Sequence, residues 1–230
     1  MKPNEIFLNG CNEIAKVFDE YGFKSFKKGQ LLRKISFDND ISYEIYFETN
    51  QRNYSANVAI NPKLSIFSKK LKKWLIDQTK NEYSEGLIYC NSIGYISPYN
   101  TLKEWNLAGA TFDKNICEII KDIKLYIIPI FEIFKDKNTG IDFLKTNGTQ
   151  FNRWTMRSLE PLAFMIYFGG RETAEIFLKD FIENCTYGNK IKHLYNELVE
   201  IEDKNKIDLN FNEFANASKI KLAFINGVRI

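Results

Sequence analysis

The hydrophobic pattern of this chain has two periods, and the change from one to the other is complete by about residue 115. Before about residue 100, runs of apolar residues alternate with polar ones; after Asn115 every apolar pattern recurs at helical spacing. Because a strand buries every second side chain and a helix roughly every third or fourth, the change predicts an α+β chain. Its N-terminal antiparallel sheet is covered by helices and followed by an all-α C-terminal subdomain. We place the domains at residues 1–135 and 136–230, with the Lys-, Asn-, Thr- and Gly-rich segment 135–153 as the break.

The elements follow from the same periodicity. Glu5 to Tyr21 reads as an amphipathic helix stopped by Gly22. Leu31, Ile35 and Phe37 share one parity, as do Ile41, Tyr43, Ile45 and Phe47, and Asp38-Asn39-Asp40 marks a turn, so the pair reads as a hairpin with these two sets facing inward. Tyr54, Ala56, Val58 and Ile60 suggest a third strand, and Pro62 to Gln78 a helix carrying Leu64, Phe67, Leu71, Trp74 and Leu75. Short strands are expected at residues 86–89 and 95–96. The longest stripe runs from Ile116 to Phe134, with Asp113 placed to cap it and Pro129 to kink or end it. Beyond it, helices flank Gly169-Gly170 and cover residues 191–201 and 212–223, with Leu162, Ile166, Phe177, Phe181, Leu194 and Leu198 as their shared core.

The function classes narrow by chemistry. His193 is the only histidine and sits in a helical pattern beside Lys192, which reads as an exposed or boundary position. Cys11, Cys90, Cys117 and Cys185 show no paired spacing and read as reduced thiols. No phosphate-binding glycine loop, zinc-protease motif or nucleophile elbow is present. Glu44 and Glu48 lie on one strand face where a metal-dependent enzyme would want acids, but a solvated face accounts for them. We therefore assign no catalytic residue, no metal ligand and no cofactor. The N-terminus lacks the apolar run of a signal peptide and no stretch is long enough to span a bilayer, so the expectation is a cytoplasmic protein with no membrane partner.

A net charge of +3 is nearly balanced, yet residues 1–80 hold 14 Lys and Arg against 9 Asp and Glu. The densest basic run is Lys69, Lys70, Lys72 and Lys73, which with Arg52 could hold nucleic-acid phosphates. The bland account is an amphipathic helix with solubilising lysines. We keep nucleic-acid binding through these five residues as the alternative function.

One resemblance adds to this reading. The first helix is followed by Gly22-Phe23-Lys24, a hairpin and Tyr54-x-Ala56-Asn57-Val58-Ala59-Ile60, and later by a helix with Tyr126-Ile127-Ile128-Pro129-Ile130-Phe131-Glu132. Over residues 10–145 this order resembles uncharacterised bacterial α+β domains often grouped with toxin-immunity proteins. The resemblance carries no catalytic motif. It implies an intracellular protein that works by binding another macromolecule, and our leading expectation is a non-enzymatic bacterial protein that binds a partner protein, a toxin to be neutralised being one case.

Overall fold

A computed structural model describes the whole chain, Met1–Ile230. In chain order the elements are α1 (Pro3–Asp19), β1 (Lys24–Phe26), β2 (Leu31–Ile35), β3 (Ile41–Glu48), β4 (Ala59–Ser68), α2 (Lys69–Thr79), β5 (Leu87–Ser92), β6 (Trp105–Asn106), α3 (Phe112–Asp122), α4 (Ile128–Ile133), α5 (Lys137–Asn147), α6 (Leu162–Phe164), α7 (Gly170–Asn184), α8 (Gly188–Val199) and α9 (Ala217–Ile225). The sheet order is β1-β2-β3-β4-β5, with β6 paired to β4. The ladders β1–β2, β2–β3 and β4–β6 are antiparallel, and β6 is the last strand, so the α+β reading holds. No helix is long and apolar enough to cross a membrane.

The chain divides into two compact units: residues 1–66 with 90–132, and residues 67–89 with 133–230. In the first unit Ile41, Tyr43, Ile45 and Phe47 point to the buried side of the sheet, while Ser42, Glu44, Tyr46 and Glu48 are half-buried on the other. Phe131 covers the buried side, its ring 5.4 Å from Tyr43 and 5.9 Å from Phe23. Gly10 does not weaken α1 for nothing: a Cβ there would lie 2.5 Å from Leu107 Cδ1, so its absence lets that leucine close onto the helix.

The Ile-rich helix is interrupted by one wide π turn at Ile123–Ile127, closed by the Ile128 N–H on the Ile123 carbonyl. Ile123 and Ile127, four residues apart at the two ends of that turn, are both fully buried on one face. Pro129, expected to kink or end the helix, follows the wide turn inside α4 and does not end it, since α4 runs on to Ile133. Asp113 lies in the first turn of α3, but no side chain caps the helix at Thr111.

Several sequence expectations shift. The strand placed at residues 54–60 begins at Ala59 and continues to Ser68, through residues read as helix. Leu64, Ile66 and Ser68 are buried and alternate with half-buried Lys63, Ser65 and Phe67, a period of two that five apolar residues at helical spacing obscured. Tyr54 and Asn57 bridge a tight turn instead. Residues 95–96 lie in a 3₁₀ turn, Ile93–Ile96, not a strand. The break at 135–153 contains α5, whose start is capped by Asp136 accepting the Thr139 N–H at 2.9 Å.

The second unit is built on aromatic packing. Phe134 lies 5.8 Å from Phe164 and 5.9 Å from Phe151, Phe143 stacks on Phe151, and Trp74 of α2 meets Tyr167 at 5.4 Å. Leu162, Ile166, Phe177, Phe181, Leu194 and Leu198 are all buried, as their helical spacing requires. Lys221 of α9 is only 4% exposed, and its ammonium donates to the Asp208 and Phe211 carbonyls and pairs with Glu213 at 2.7 Å. A buried ammonium with three oxygen partners has its charge compensated and pins the 208–213 loop.

Candidate functional site

The β2–β3 hairpin departs from its sequence reading in a way that exposes a surface. A three-residue turn at Asp38–Asp40 would pair Phe37 with Ile41 and put both odd-numbered sets on one side. The ladder instead pairs Ile35 with Ser42, Arg33 with Glu44 and Leu31 with Tyr46. Phe37 joins the loop, so odd residues of β2 oppose even residues of β3. One extra loop residue therefore turns Leu31 and Ile35 away from the core, and only Leu32, opposite Ile45, enters it.

The outer face is thus three cross-strand rows. Phe26, Leu31 and Tyr46 form the first; Lys24, Arg33 and Glu44 the second; Ile35 and Ser42 the third, with Phe37 beyond. Phe26 is 44% exposed, Ile35 47% and Phe37 fully exposed, whereas Leu31 between its two rings is 6% exposed. Arg33 joins the rows: it pairs with Glu44 at 2.6 Å and its guanidinium lies 5.2 Å from the Phe26 ring centre. Gln30 donates to the Tyr46 hydroxyl at 2.9 Å.

Both ends of this face are held rigidly. In the 36–41 loop, Ser36 Oγ donates to Asp38 at 2.6 Å and accepts the Ile41 N–H at 2.9 Å, while Asn39 takes a left-handed φ of 57°. Phe37 is therefore displayed on a fixed loop. At the other end, Lys27 and Lys28 occupy the two left-handed positions of a tight turn, φ 50° and 57°, closed by the Gly29 N–H on the Phe26 carbonyl at 3.0 Å. Asn-Gly is the usual choice there, and two lysines store about 1 kcal/mol or more each. Gly29, at φ 87°, lies against α1, where a Cβ would come within 2.6 Å of Asn12 Oδ1 and 2.9 Å of its backbone nitrogen. Beneath that contact Cys11 is fully buried, and burial pushes its thiol up to about 12.

The residues singled out from sequence fall elsewhere. Lys69, Lys70, Lys72 and Lys73 are exposed around one side of α2, with Leu71 buried opposite and no acidic residue in the first turn. Arg52 lies in the turn after β3 and belongs to the first unit, whereas the lysines belong to the second. Glu44 and Glu48 are each held by a separate cation, Arg33 and Lys63, both at 2.6 Å. Their spacing along one strand is about 13 Å. His193 is 76% exposed on α8, 3.3 Å from Glu197 one turn along.

Sequence reasoning missed the outer face because it took the odd-numbered residues of β2 as core. The available signal was the turn itself, since Ser36 and Asp38 are suited to hold a longer loop. No family model matches this chain, and no curated protein or solved structure does either.

Proposed function

We propose that this chain acts by binding a partner protein on the outer face of β1–β3, without chemistry of its own. The observation that carries the reading is the fully exposed Phe37 on its braced loop, in line with exposed Ile35 and Phe26. An antiparallel sheet normally turns polar residues to water, and aromatic side chains held rigidly in solvent suit a partner's pocket. Ion-paired Arg33 beside Phe26 adds the cation and ring common at interface centres. The resemblance to toxin-immunity domains favours a bacterial toxin as that partner, and a cytoplasmic site of action goes with it. The alternative, nucleic-acid binding by Arg52 and the four lysines of α2, is favoured by the exposure of those lysines and predicts affinity that falls steeply with salt.

The test uses a partner recovered by capture on the immobilised full-length chain. Replacing Phe26, Ile35 and Phe37 together by Ser is expected to lower urea stability by about 1 to 3 kcal/mol and leave the chain folded, since Phe37 is fully exposed and Phe26 and Ile35 are about half exposed. It should weaken partner binding by about 30-fold or more, the loss expected for hot-spot aromatics. Unchanged affinity in this variant overturns the reading. Serine at all four α2 lysines should leave partner binding intact; if it abolishes binding to a labelled single-stranded oligonucleotide at low salt, the alternative replaces it.

A further inference from the structure

A second cluster of the first unit lies away from the outer face. Glu118 and Asp122, one turn apart on α3, converge on a single group: the Tyr99 hydroxyl is 2.9 Å from Glu118 Oε1 and 2.9 Å from Asp122 Oδ2. Lys103 lies 4.0 Å from Glu118 and rests on the rings of Tyr99, at 4.5 Å, and Trp105, at 4.9 Å. Trp105, 3% exposed, buries its indole N–H without a partner at full hydrogen-bond geometry, although it still lies close enough to act on the Glu118 carboxyl; we take it as a donor aimed at Glu118 but not closed on it.

Counting protons decides the arrangement. A phenol carries one proton, and two ionised carboxylates have none to give, so both short contacts cannot be full hydrogen bonds at once. A second proton completes them: Asp122 donates to the Tyr99 oxygen, and Tyr99 donates to ionised Glu118. The environment selects Asp122 as the holder. It is 7% exposed, and burial foremost, then the charge of Glu118, raises its affinity for a proton against the opposing Tyr99 hydrogen bond, Lys121 and Lys103. For Glu118 burial acts upward too, but Trp105 and Tyr99 as donors, with Lys103 and Lys114, more than offset it and keep that carboxyl below its ordinary value. Two ionised carboxylates one helical turn apart would also repel.

We propose that Asp122, Tyr99 and Glu118 form a one-proton clasp, closed when Asp122 holds a proton and loosened when it loses it, so that attachment of the 97–106 segment to α3 responds to pH. The groups facing Asp122 are Glu118 and Lys121 on its own helix and Tyr99 and Lys103 on the segment. The sign follows from linkage. An acid whose folded affinity for protons is raised stabilises fully below its unfolded value of about 3.9, and that contribution is lost as pH rises through the folded value. Glu118 behaves oppositely, contributing above about 4.3 and losing its contribution as pH falls through its depressed folded value. The clasp is tightest between the two folded values, where the pair holds one proton.

The experiment is a carboxyl ¹³C NMR titration of the full-length protein from pH 3 to 8, with hydrogen exchange of the 97–106 amides corrected for intrinsic pH dependence. Asp122 is expected to titrate above about 3.9, with protection of 97–106 falling at least about tenfold in the same step. Asp122→Asn, whose amide donates as the protonated acid does, should hold that protection up to pH 8 and remove the step. Should Asp122→Asn fail to fold, Tyr99→Phe gives a second reading, with Asp122 still titrating high but protection low at every pH. Asp122 titrating at or below its ordinary value, or a step that survives either substitution, overturns the proposal.

Discussion

Replacing Ile123 by Asp is expected to unfold the first unit. Ile123 is fully buried at the start of the wide turn, next to Asp122, which is itself buried. The substitution removes a fully buried apolar side chain and puts a carboxylate in its place. Burying an unpaired charge costs several kcal/mol, and Ile-to-Ala truncation alone costs about 2 to 5. Total stability of a domain is about 5 to 15 kcal/mol, so little remains. Urea titration followed by circular dichroism should show no cooperative transition for this unit, or one beginning at zero denaturant. A midpoint unchanged from the parent chain would mean that Ile123 is not core.

Gly86→Ala should be the most damaging single-methyl change in the second unit. Gly86 sits at φ 73°, and an added Cβ would lie 2.3 Å from the Ser68 carbonyl oxygen, 2.6 Å from the Lys72 backbone nitrogen and 2.7 Å from Lys72 Cβ. Its own carbonyl accepts the Ser68 N–H at 2.9 Å, so moving away breaks the junction where β4 passes into α2. Ser68 also caps α2 by accepting the Leu71 N–H at 3.0 Å. The left-handed backbone costs about 1 to 2 kcal/mol for a residue with a Cβ, and overpacking adds about 1 to 3. A loss of about 2 to 5 kcal/mol in denaturant titration is expected. Gly109→Ala supplies the comparison, since φ is 72° there and nothing lies within 4 Å, so only the backbone share should appear.

The two kinds of periodicity carried the fold far. The helical stripe from Ile116 to Phe134 and the alternation of Ile41 to Phe47 are buried as their spacing demands, because each pattern has one geometry that buries it. Residues 62–68 misled because Leu64, Phe67 and Leu71 also fit a helix, and a short apolar run does not choose between periods without its partner strands. The strands β1 and β6 span three and two residues, too few to show any alternation. The outer face was hidden for another reason. Alternation in β2 marks which residues share a face but not which face is buried; that depended on whether Phe37 is in the strand or the loop. The Tyr99 clasp joins residues 19 and 23 positions apart, and no local pattern announces it.

The most direct measurement of the account is side-chain footprinting of the full-length chain, free and saturated with its captured partner. Hydroxyl-radical labelling reads exposed aromatic and aliphatic side chains, and acetylation reads lysines. Phe26, Ile35 and Phe37, exposed in the free chain, should become protected together with Lys24, Lys27 and Lys28, while Lys69, Lys70, Lys72 and Lys73 remain reactive. Protection confined to the α2 lysines, with Phe37 as reactive in the complex as in the free chain, would contradict it.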